Sequence, residues 1–130
     1  MKRQSYPIDA IVPQLQQTLR QQRIALLTAQ PGAGKTTQIP LALLQEPWLI
    51  PKTIIMLEPR RLAARAAARR MCDLLGEPVG TTVGYRTRLD TKIGPNTKLE
   101  VVTEGILTRI LQHDPSLQNY GLVIFDEFHE

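Results

Sequence analysis

Short apolar runs alternate with helix-type patterns along the whole chain. The runs "IALLTA", "TIIMLE" and "GLVIF" are rich in Ile, Leu and Val and are bounded by Gly, Pro or charged residues, which is typical of buried strands. We predict strands at 24–29, 53–58, 81–88 and 121–127, and a strand that runs into a turn at 99–105.

Four segments have the composition or the spacing of helices. The alanine- and arginine-rich segment 60–76 has the clearest signal, and Gly76 is a natural C-terminal stop for it. The others are predicted at 8–22, at 35–45 with a kink at Pro40, and at 106–114, whereas 90–98 is predicted to be a loop.

The alternation of strand and helix predicts the fold class. It indicates an α/β protein with a mostly parallel sheet flanked by helices. Ligands of such sheets bind beyond the carboxyl ends of the strands. The polar segments "QPGAGKT", "EPRR", "TEG" and "DEFH" each follow an apolar run, so we expect the chemistry of the protein there.

Composition narrows the class further. The 130 residues are enough for about one domain, with 42% hydrophobic residues for a core. The net charge of +4 is compatible with an anionic partner. Cys72 is the single cysteine, so we predict no internal disulfide, a buried thiol and a reducing, cytoplasmic location. Neither a secretory signal nor a membrane-spanning run is predicted.

The segment "AQPGAGKTT" (29–37) predicts a nucleotide site. It nearly matches the phosphate-loop pattern G-x-x-x-x-G-K-[ST], with Ala29 in place of the first glycine, between a predicted strand and a predicted helix. Glycines let backbone N–H groups turn toward a phosphate, Lys35 adds a cation, and Thr36 offers a hydroxyl to Mg²⁺. The alternative is a glycine-rich turn with a surface lysine. The predicted nucleotide-binding residues are Gly32, Ala33, Gly34, Lys35, Thr36 and Thr37.

The segment "VIFDEFHE" (123–130) predicts the rest of that site. Asp126, directly after an apolar strand, is a candidate to hold the waters of a Mg²⁺ ion bound to a triphosphate. Glu127 is the candidate general base for an attacking water, and a candidate Mg²⁺ ligand together with Thr36 and Asp126. His129 either contacts the γ-phosphate or is an ordinary loop histidine, and His113 is predicted to lie on the surface. The alternative for the carboxylates is a pair of solvated acids at a strand tip.

Two further strand ends are candidates for nucleic-acid contact. Arg60 and Arg61 lie at the start of a predicted helix, where a phosphate backbone could bind. Arg65, Arg69 and Arg70 are predicted to form only a solvated cationic face. Another strand-to-helix turn contains Thr103, Glu104 and Gly105. It could bind a phosphate or sugar of the nucleic acid, or Thr103 could simply cap the following helix.

Taken in order, "AQPGAGKTT", "PRRLAARAAARR", "VVTEGILTR" and "VIFDEFHE" resemble the first RecA-like domain of the DEAH-box (DExH) ATP-dependent helicases of superfamily two. Within that family the segments "LEPRRLAARAAARRM", "VGYRTR" and "DEFHE" are most similar to the bacterial HrpB-type branch. The resemblance implies a P-loop NTPase that uses ATP and Mg²⁺ to move along nucleic acid, with RNA favoured over DNA. It also implies the roles given above for Lys35, Asp126, Glu127 and His129, with Phe128 and Glu104 as departures from the usual motifs.

The resemblance further implies that residues 1–130 are a truncated first motor domain that ends inside the DExH box. Relatives continue into a second RecA-like domain that supplies arginines to the γ-phosphate, so we expect this chain alone to bind ATP–Mg²⁺ weakly and to hydrolyse it negligibly. Two alternatives stay open. One is another P-loop ATPase or kinase, and the other is a non-catalytic module that binds nucleic acid through its basic face.

Overall fold

The computed structural model describes residues 25–29, 40–47 and 51–126, which form one sheet with helices on both faces. A helical stretch is also described at 40–43, inside the helix predicted at 35–45. The strands are β1 (Ala25–Ala29), β2 (Thr53–Leu57), β3 (Val83–Arg86), β4 (Thr91–Lys92), β5 (Leu99–Val102) and β6 (Tyr120–Asp126), and the longer helices are α1 (Arg61–Leu75) and α2 (Glu104–His113).

Among the described residues the sheet has six strands, in the order β1-β6-β2-β5-β3-β4. All neighbouring pairs are parallel except β3 with β4, which is antiparallel. The predicted fold class, a mostly parallel sheet flanked by helices, is therefore confirmed. Helix α1 connects β2 to β3 and helix α2 connects β5 to β6, so both helices belong to crossover connections between strands.

The central strands are apolar on both faces because each face is covered by a helix. Ile54 and Met56 of β2 pack in the cluster that contains the buried side of α1, whereas Ile55 and Leu57 pack in the cluster that contains α2. Successive residues of a strand point to opposite faces, so burial on both faces requires an unbroken apolar run. The continuous "TIIML" pattern follows directly from this arrangement.

Helix α1 packs closely on the sheet because its buried face is made mostly of small residues. Ala64, Ala68 and Cys72 are almost fully buried, and the Cys72 thiol donates to the carbonyl oxygen of Val83 at 3.3 Å. The predicted burial of Cys72 is confirmed, and this burial raises the pKa of its thiol. The helix ends at Gly76, whose φ of 72° is the left-handed conformation that glycine adopts most readily.

The sequence prediction was wrong for one strand. Residues Thr91 and Lys92 were expected to lie in a loop, but they form β4, an outermost strand of the described sheet that pairs with β3. Glycine permits this close approach, because a Cβ added to Gly84 of β3 would collide with the backbone carbonyl oxygen of Lys92. Strand β4 is exposed and only two residues long, so its own sequence carries no apolar signal.

Candidate functional site

The carboxyl ends of β1 and β6 lie side by side. They are at the edge of the sheet formed by the carboxyl ends of its parallel strands. The register of this parallel pair runs from Ala25 with Leu122 to Ala29 with Asp126. Ala29 is the first residue of the phosphate-loop segment, and Asp126 is the first acid of "DEFHE". The two segments predicted to hold a nucleotide and its metal ion therefore leave the sheet from neighbouring strands at the same edge.

Most of the predicted nucleotide-site residues lie outside the described part of the chain. Asp126 is the last residue of β6, and its backbone position is defined by the pairing with Ala29. The predicted residues outside the described part of the chain are Gly32, Ala33, Gly34, Lys35, Thr36, Thr37, Glu127 and His129.

Arg60 and Arg61 lie at the same edge, after the end of β2. Glu58 is buried and extends the pairing of β2 with β5, since its backbone N–H donates to the carbonyl oxygen of Val102 at 2.9 Å. The chain then turns outward, and both arginines are exposed. Arg60 is the N-terminal cap residue of α1, with its carbonyl oxygen accepting from Ala64 N–H at 2.9 Å. The predicted position of these arginines at a helix start is confirmed.

The turn after β5 is next to this pair of arginines, because β5 is the neighbour of β2 with Val102 opposite Leu57. Thr103 is the N-terminal cap residue of α2, and its carbonyl oxygen accepts from Leu107 N–H at 3.0 Å. Its side chain forms no capping hydrogen bond, so the alternative of a side-chain cap is not supported. Glu104 opens the helix, two residues earlier than predicted, and Gly105 is exposed with open space around its α-carbon.

A fourth segment at this edge was not predicted from the sequence to contact nucleic acid. Residues 87–90 follow β3, the neighbour of β5, and Arg86 lies opposite Val102. Thr103 N–H donates to the carbonyl oxygen of Arg86 at 3.4 Å, which connects the end of β3, where this loop begins, to the start of α2. At its tip Arg88 and Leu89 are exposed, and Leu89 is 71% accessible. The available signal was an arginine and a leucine at the end of the strand predicted at 81–88.

The expectation for Arg65 was wrong. Arg69 and Arg70 are exposed as predicted, but the Arg65 side chain is half-buried. Its guanidinium carbon lies 5.9 Å from the centre of the Tyr85 ring, and its Nε atom is 3.7 Å from the Asp90 carboxylate. Arg65 therefore contacts β3 and the loop that follows it, a long-range packing contact that helical spacing does not reveal.

A second polar cluster lies on the face of the sheet covered by α2. The Glu100 carboxylate accepts from Arg86 and from the Tyr120 hydroxyl, each at 3.4 Å. Burial, followed by the nearby charge of Glu100, raises the pKa of Tyr120 to about 12. A cavity of about 390 Å³ beside this cluster is lined by Arg86, Arg109, Tyr120 and His113, which is exposed as predicted.

The donor types of the predicted set Thr36, Asp126 and Glu127 fit magnesium. Mg²⁺ prefers oxygen ligands and keeps several waters, and a threonine hydroxyl with carboxylates supplies such oxygens. Asp126 is the member of the predicted set Thr36, Asp126 and Glu127 whose backbone is described. Among the other described side chains no group of three His, Cys, Asp or Glu residues is arranged to hold a metal ion. No helix in the described ranges is long and apolar enough to cross a bilayer.

Comparison with known proteins agrees with this arrangement. The family model described as DEAD/DEAH box helicase matches residues 9–130, nearly the whole chain. The chain therefore belongs to the DEAD/DEAH box helicase family.

Individual relatives indicate the branch of the family. The chain is 56% identical over 126 residues to the ATP-dependent RNA helicase HrpB of Escherichia coli (strain K12), and 33% identical over 127 residues to an ATP-dependent RNA helicase HrpA homolog of Haemophilus influenzae. A crystal structure of the E. coli DExH-box NTPase HrpB superimposes with a TM-score of 0.74 over 99% of this chain, at 54% identity.

The resemblance to the HrpB-type branch is confirmed by these matches. They cover 97% and 98% of this chain but only 16% of the E. coli protein and 10% of the H. influenzae protein. The chain thus spans about a sixth or less of the length of these two relatives.

Proposed function

We propose that this chain is the ATP-binding part of the first RecA-like domain of an ATP-dependent RNA helicase. The observation that carries the proposal is the pairing of Ala29 with Asp126, which brings the phosphate-loop segment and the DExH segment to one edge of the sheet in a member of the helicase family. The two relatives described above are named as RNA helicases, which favours RNA over DNA as the partner. The lone buried thiol favours the cytoplasm as its location.

The nucleotide would be bound by backbone N–H groups of the loop that contains Gly32, Ala33 and Gly34, at the start of the helix predicted at 35–45. Lys35 would contact the outer phosphates as a cation, and Thr37 would complete this binding segment. Together these residues would stabilise the negative charge of a triphosphate, which is the main requirement of phosphoryl transfer.

Hydrolysis would depend on the residues after β6. Thr36 and Asp126 would hold the ion and its waters, and when bound Mg²⁺ neutralises charge on the phosphate oxygens. Glu127 is proposed to accept the proton of the attacking water, and His129 to contact the γ-phosphate.

The nucleic-acid strand is proposed to lie across the same edge. Arg60 and Arg61 are exposed beyond β2, and Thr103, Glu104 and Gly105 lie beyond β5. Adjacent strand ends give a row of cationic side chains and helix-start amides, the groups that bind phosphates without reading sequence. Arg88 and Leu89, beyond β3, extend this row.

A second RecA-like domain is proposed to complete the motor, as the resemblance to DExH helicases implies. Closure of the cleft between the domains would add arginines to the γ-phosphate, so the 130-residue chain alone is expected to bind ATP–Mg²⁺ and not to turn it over.

The decisive experiment uses a chimaera in which this chain replaces the corresponding segment of E. coli HrpB. We expect ATP hydrolysis that is stimulated by single-stranded RNA, and loss of turnover with retained ATP binding in the Glu127→Gln variant, because the amide cannot accept the proton. Lys98→Ala is the control, since Lys98 is exposed at the opposite edge of the sheet. Hydrolysis that Glu127→Gln leaves unchanged would contradict the assignment.

The alternatives give different results in the same assay. Another P-loop ATPase or kinase would hydrolyse ATP without stimulation by RNA. A non-catalytic module would bind RNA equally well with and without ATP and would be indifferent to Lys35→Ala.

A further inference from the structure

Hydrogen bonds join the first and last residues of loop 87–90. Thr87 N–H donates to the carbonyl oxygen of Asp90 at 2.8 Å, and the Thr87 hydroxyl donates to the same oxygen at 3.0 Å. The Asp90 N–H in turn donates to the Thr87 hydroxyl oxygen at 3.1 Å. Thr87 is 3% exposed, so these bonds are shielded from water, and the two residues between them are presented to solvent on a fixed turn.

The Asp90 side chain joins this loop to β3. The Tyr85 hydroxyl donates to Asp90 Oδ2 at 2.6 Å, a short distance typical of a hydrogen bond to a charged carboxylate. Tyr85 itself is 3% exposed and packs in the core beneath α1. The hydrogen bond to Asp90, followed by burial, raises the pKa of Tyr85.

Arg65 joins the same carboxylate to α1. Its Nε atom is 3.7 Å from Asp90 Oδ2, and its guanidinium lies over the Tyr85 ring. This ion pair is partly exposed to solvent and is weak by itself, so the Tyr85–Asp90 hydrogen bond is the stronger link. Arg65 follows Arg61 by one helical turn, so the contact lies next to the proposed RNA-binding start of α1.

We propose that Asp90 is a positioning residue, which fixes loop 87–90 against Tyr85 and Arg65 so that Arg88 and Leu89 continue the RNA-binding surface formed by Arg60 and Arg61. This inference rests on the proposed function. Asp90 need not touch RNA, and its carboxylate acts through the two side chains that it contacts. Without the carboxylate, the hydrogen bonds between Thr87 and Asp90 remain, but the side-chain contacts of Asp90 with Tyr85 and Arg65 are lost. RNA binding must then order the loop, which lowers the affinity for RNA.

A purely electrostatic effect and a positioning role of Asp90 predict opposite changes in RNA affinity. Asp90→Asn removes a negative charge beside a surface proposed to bind phosphates, and electrostatics alone would therefore strengthen RNA binding. The positioning role predicts the opposite, because the ion pair to Arg65 is lost and the bond from Tyr85 is weakened. Asp73→Asn is the matched control, since Asp73 is an exposed acid near the other end of α1.

The test is RNA-stimulated ATP hydrolysis by the chimaera with E. coli HrpB, measured against RNA concentration. We expect Asp90→Asn to raise the KM for RNA by roughly two- to tenfold, the effect of about one hydrogen bond, with kcat at saturating RNA unchanged. Tyr85→Phe keeps the ring in the core and should give a similar rise, and the two changes together should add less than their sum. Asp73→Asn should leave the KM unchanged.

The outcomes separate this inference from the proposed function. An unsubstituted chimaera that RNA does not stimulate would overturn both. Stimulation that Arg60→Ala weakens, combined with an unchanged or lower KM for RNA in Asp90→Asn, would overturn the positioning role alone. Should Asp90→Asn unfold the chain, as circular dichroism would reveal, the Tyr85→Phe result decides, because that change removes only a hydroxyl.

Discussion

Ala29 and Asp126 are register partners at the ends of β1 and β6, although 97 positions separate them in the sequence. Neighbouring strands are roughly 5 Å apart, so the segments that follow these residues leave the sheet almost from the same point. The strands that lead into the glycine-rich segment and the acidic segment are thereby paired by backbone hydrogen bonds. This gives the proposed ATP site a structural basis that does not depend on where any single side chain points.

Asp126→Asn should weaken ATP binding only when magnesium is present. The proposed role of Asp126 is to hold the waters of the ion, and loss of such an outer contact typically costs about 10- to 100-fold in metal affinity. Titration of the 130-residue chain with a fluorescent ATP analogue, with Mg²⁺ and with a chelator, measures both states. Equal weakening in the two conditions would indicate a role in folding instead of metal binding.

Arg60→Ala and Arg61→Ala should each weaken RNA binding and reduce its salt dependence. Each phosphate contact that is lost lowers the slope of log affinity against log salt by about one unit. Fluorescence anisotropy with a labelled single-stranded RNA at several salt concentrations provides the slope. Arg69→Ala and Arg70→Ala are matched controls on the same helix, and an equal effect from them would point to a diffuse cationic face.

Ile55→Val should lower the free energy of unfolding by about 1 kcal/mol, because it removes one methylene from a fully buried position of β2. Urea denaturation followed by circular dichroism provides the value. Leu62→Ala is the comparison, since Leu62 is 68% exposed on α1 and its truncation should change stability by less than about 0.5 kcal/mol. A larger loss at Leu62 than at Ile55 would be inconsistent with the observed core.

Tyr120 should reduce the stability of the fold at high pH. Its pKa is about 12 in the folded chain against the ordinary tyrosine value of 10.0, so the folded state holds this proton more tightly than the unfolded state. The resulting stability is fully present below pH 10 and is lost as the pH rises from about 10 to about 12. Tyrosinate absorbance and urea denaturation across this range, compared with Tyr120→Phe, measure the effect.

The Glu100→Gln variant tests the cause of that shift. Burial is the larger cause, and the charge of Glu100 is the next. Removal of the charge should therefore lower the pKa of Tyr120 only in part. A pKa that returns fully to the value of an exposed tyrosine would mean that Glu100 and not burial dominates.

The parts of the fold that were predictable are those with strong local signals. Strands β2 and β6 are continuous apolar runs, a pattern that is required when a sheet is covered on both faces. Helix α1 ends before Gly76, as predicted. The strand ends then located Arg60 and Arg61 at a helix start and Asp126 at the end of β6. All of these follow from the period of the apolar residues and from the glycine stop.

The features that were missed depend on contacts between distant segments. Strand β4 exists because Gly84 lets another backbone approach, and two exposed residues carry no pattern of their own. Arg65 was expected to be solvated, but its contacts with Tyr85 and Asp90 are set by how α1 lies on the sheet. The strand order was not predicted either, because an apolar run does not specify its neighbours.

Strand β1 has β6 as its neighbour in the described sheet, and this has a consequence for biosynthesis. A ribosome adds about 5–20 residues each second, so roughly 5–20 seconds pass between the synthesis of Ala29 and that of Asp126. Strand β1, which leads into the phosphate-loop segment, is synthesised before the other described strands. Its pairing partner β6 is synthesised after all of them. On a nascent chain, ATP binding should therefore appear only after β6 has left the exit tunnel.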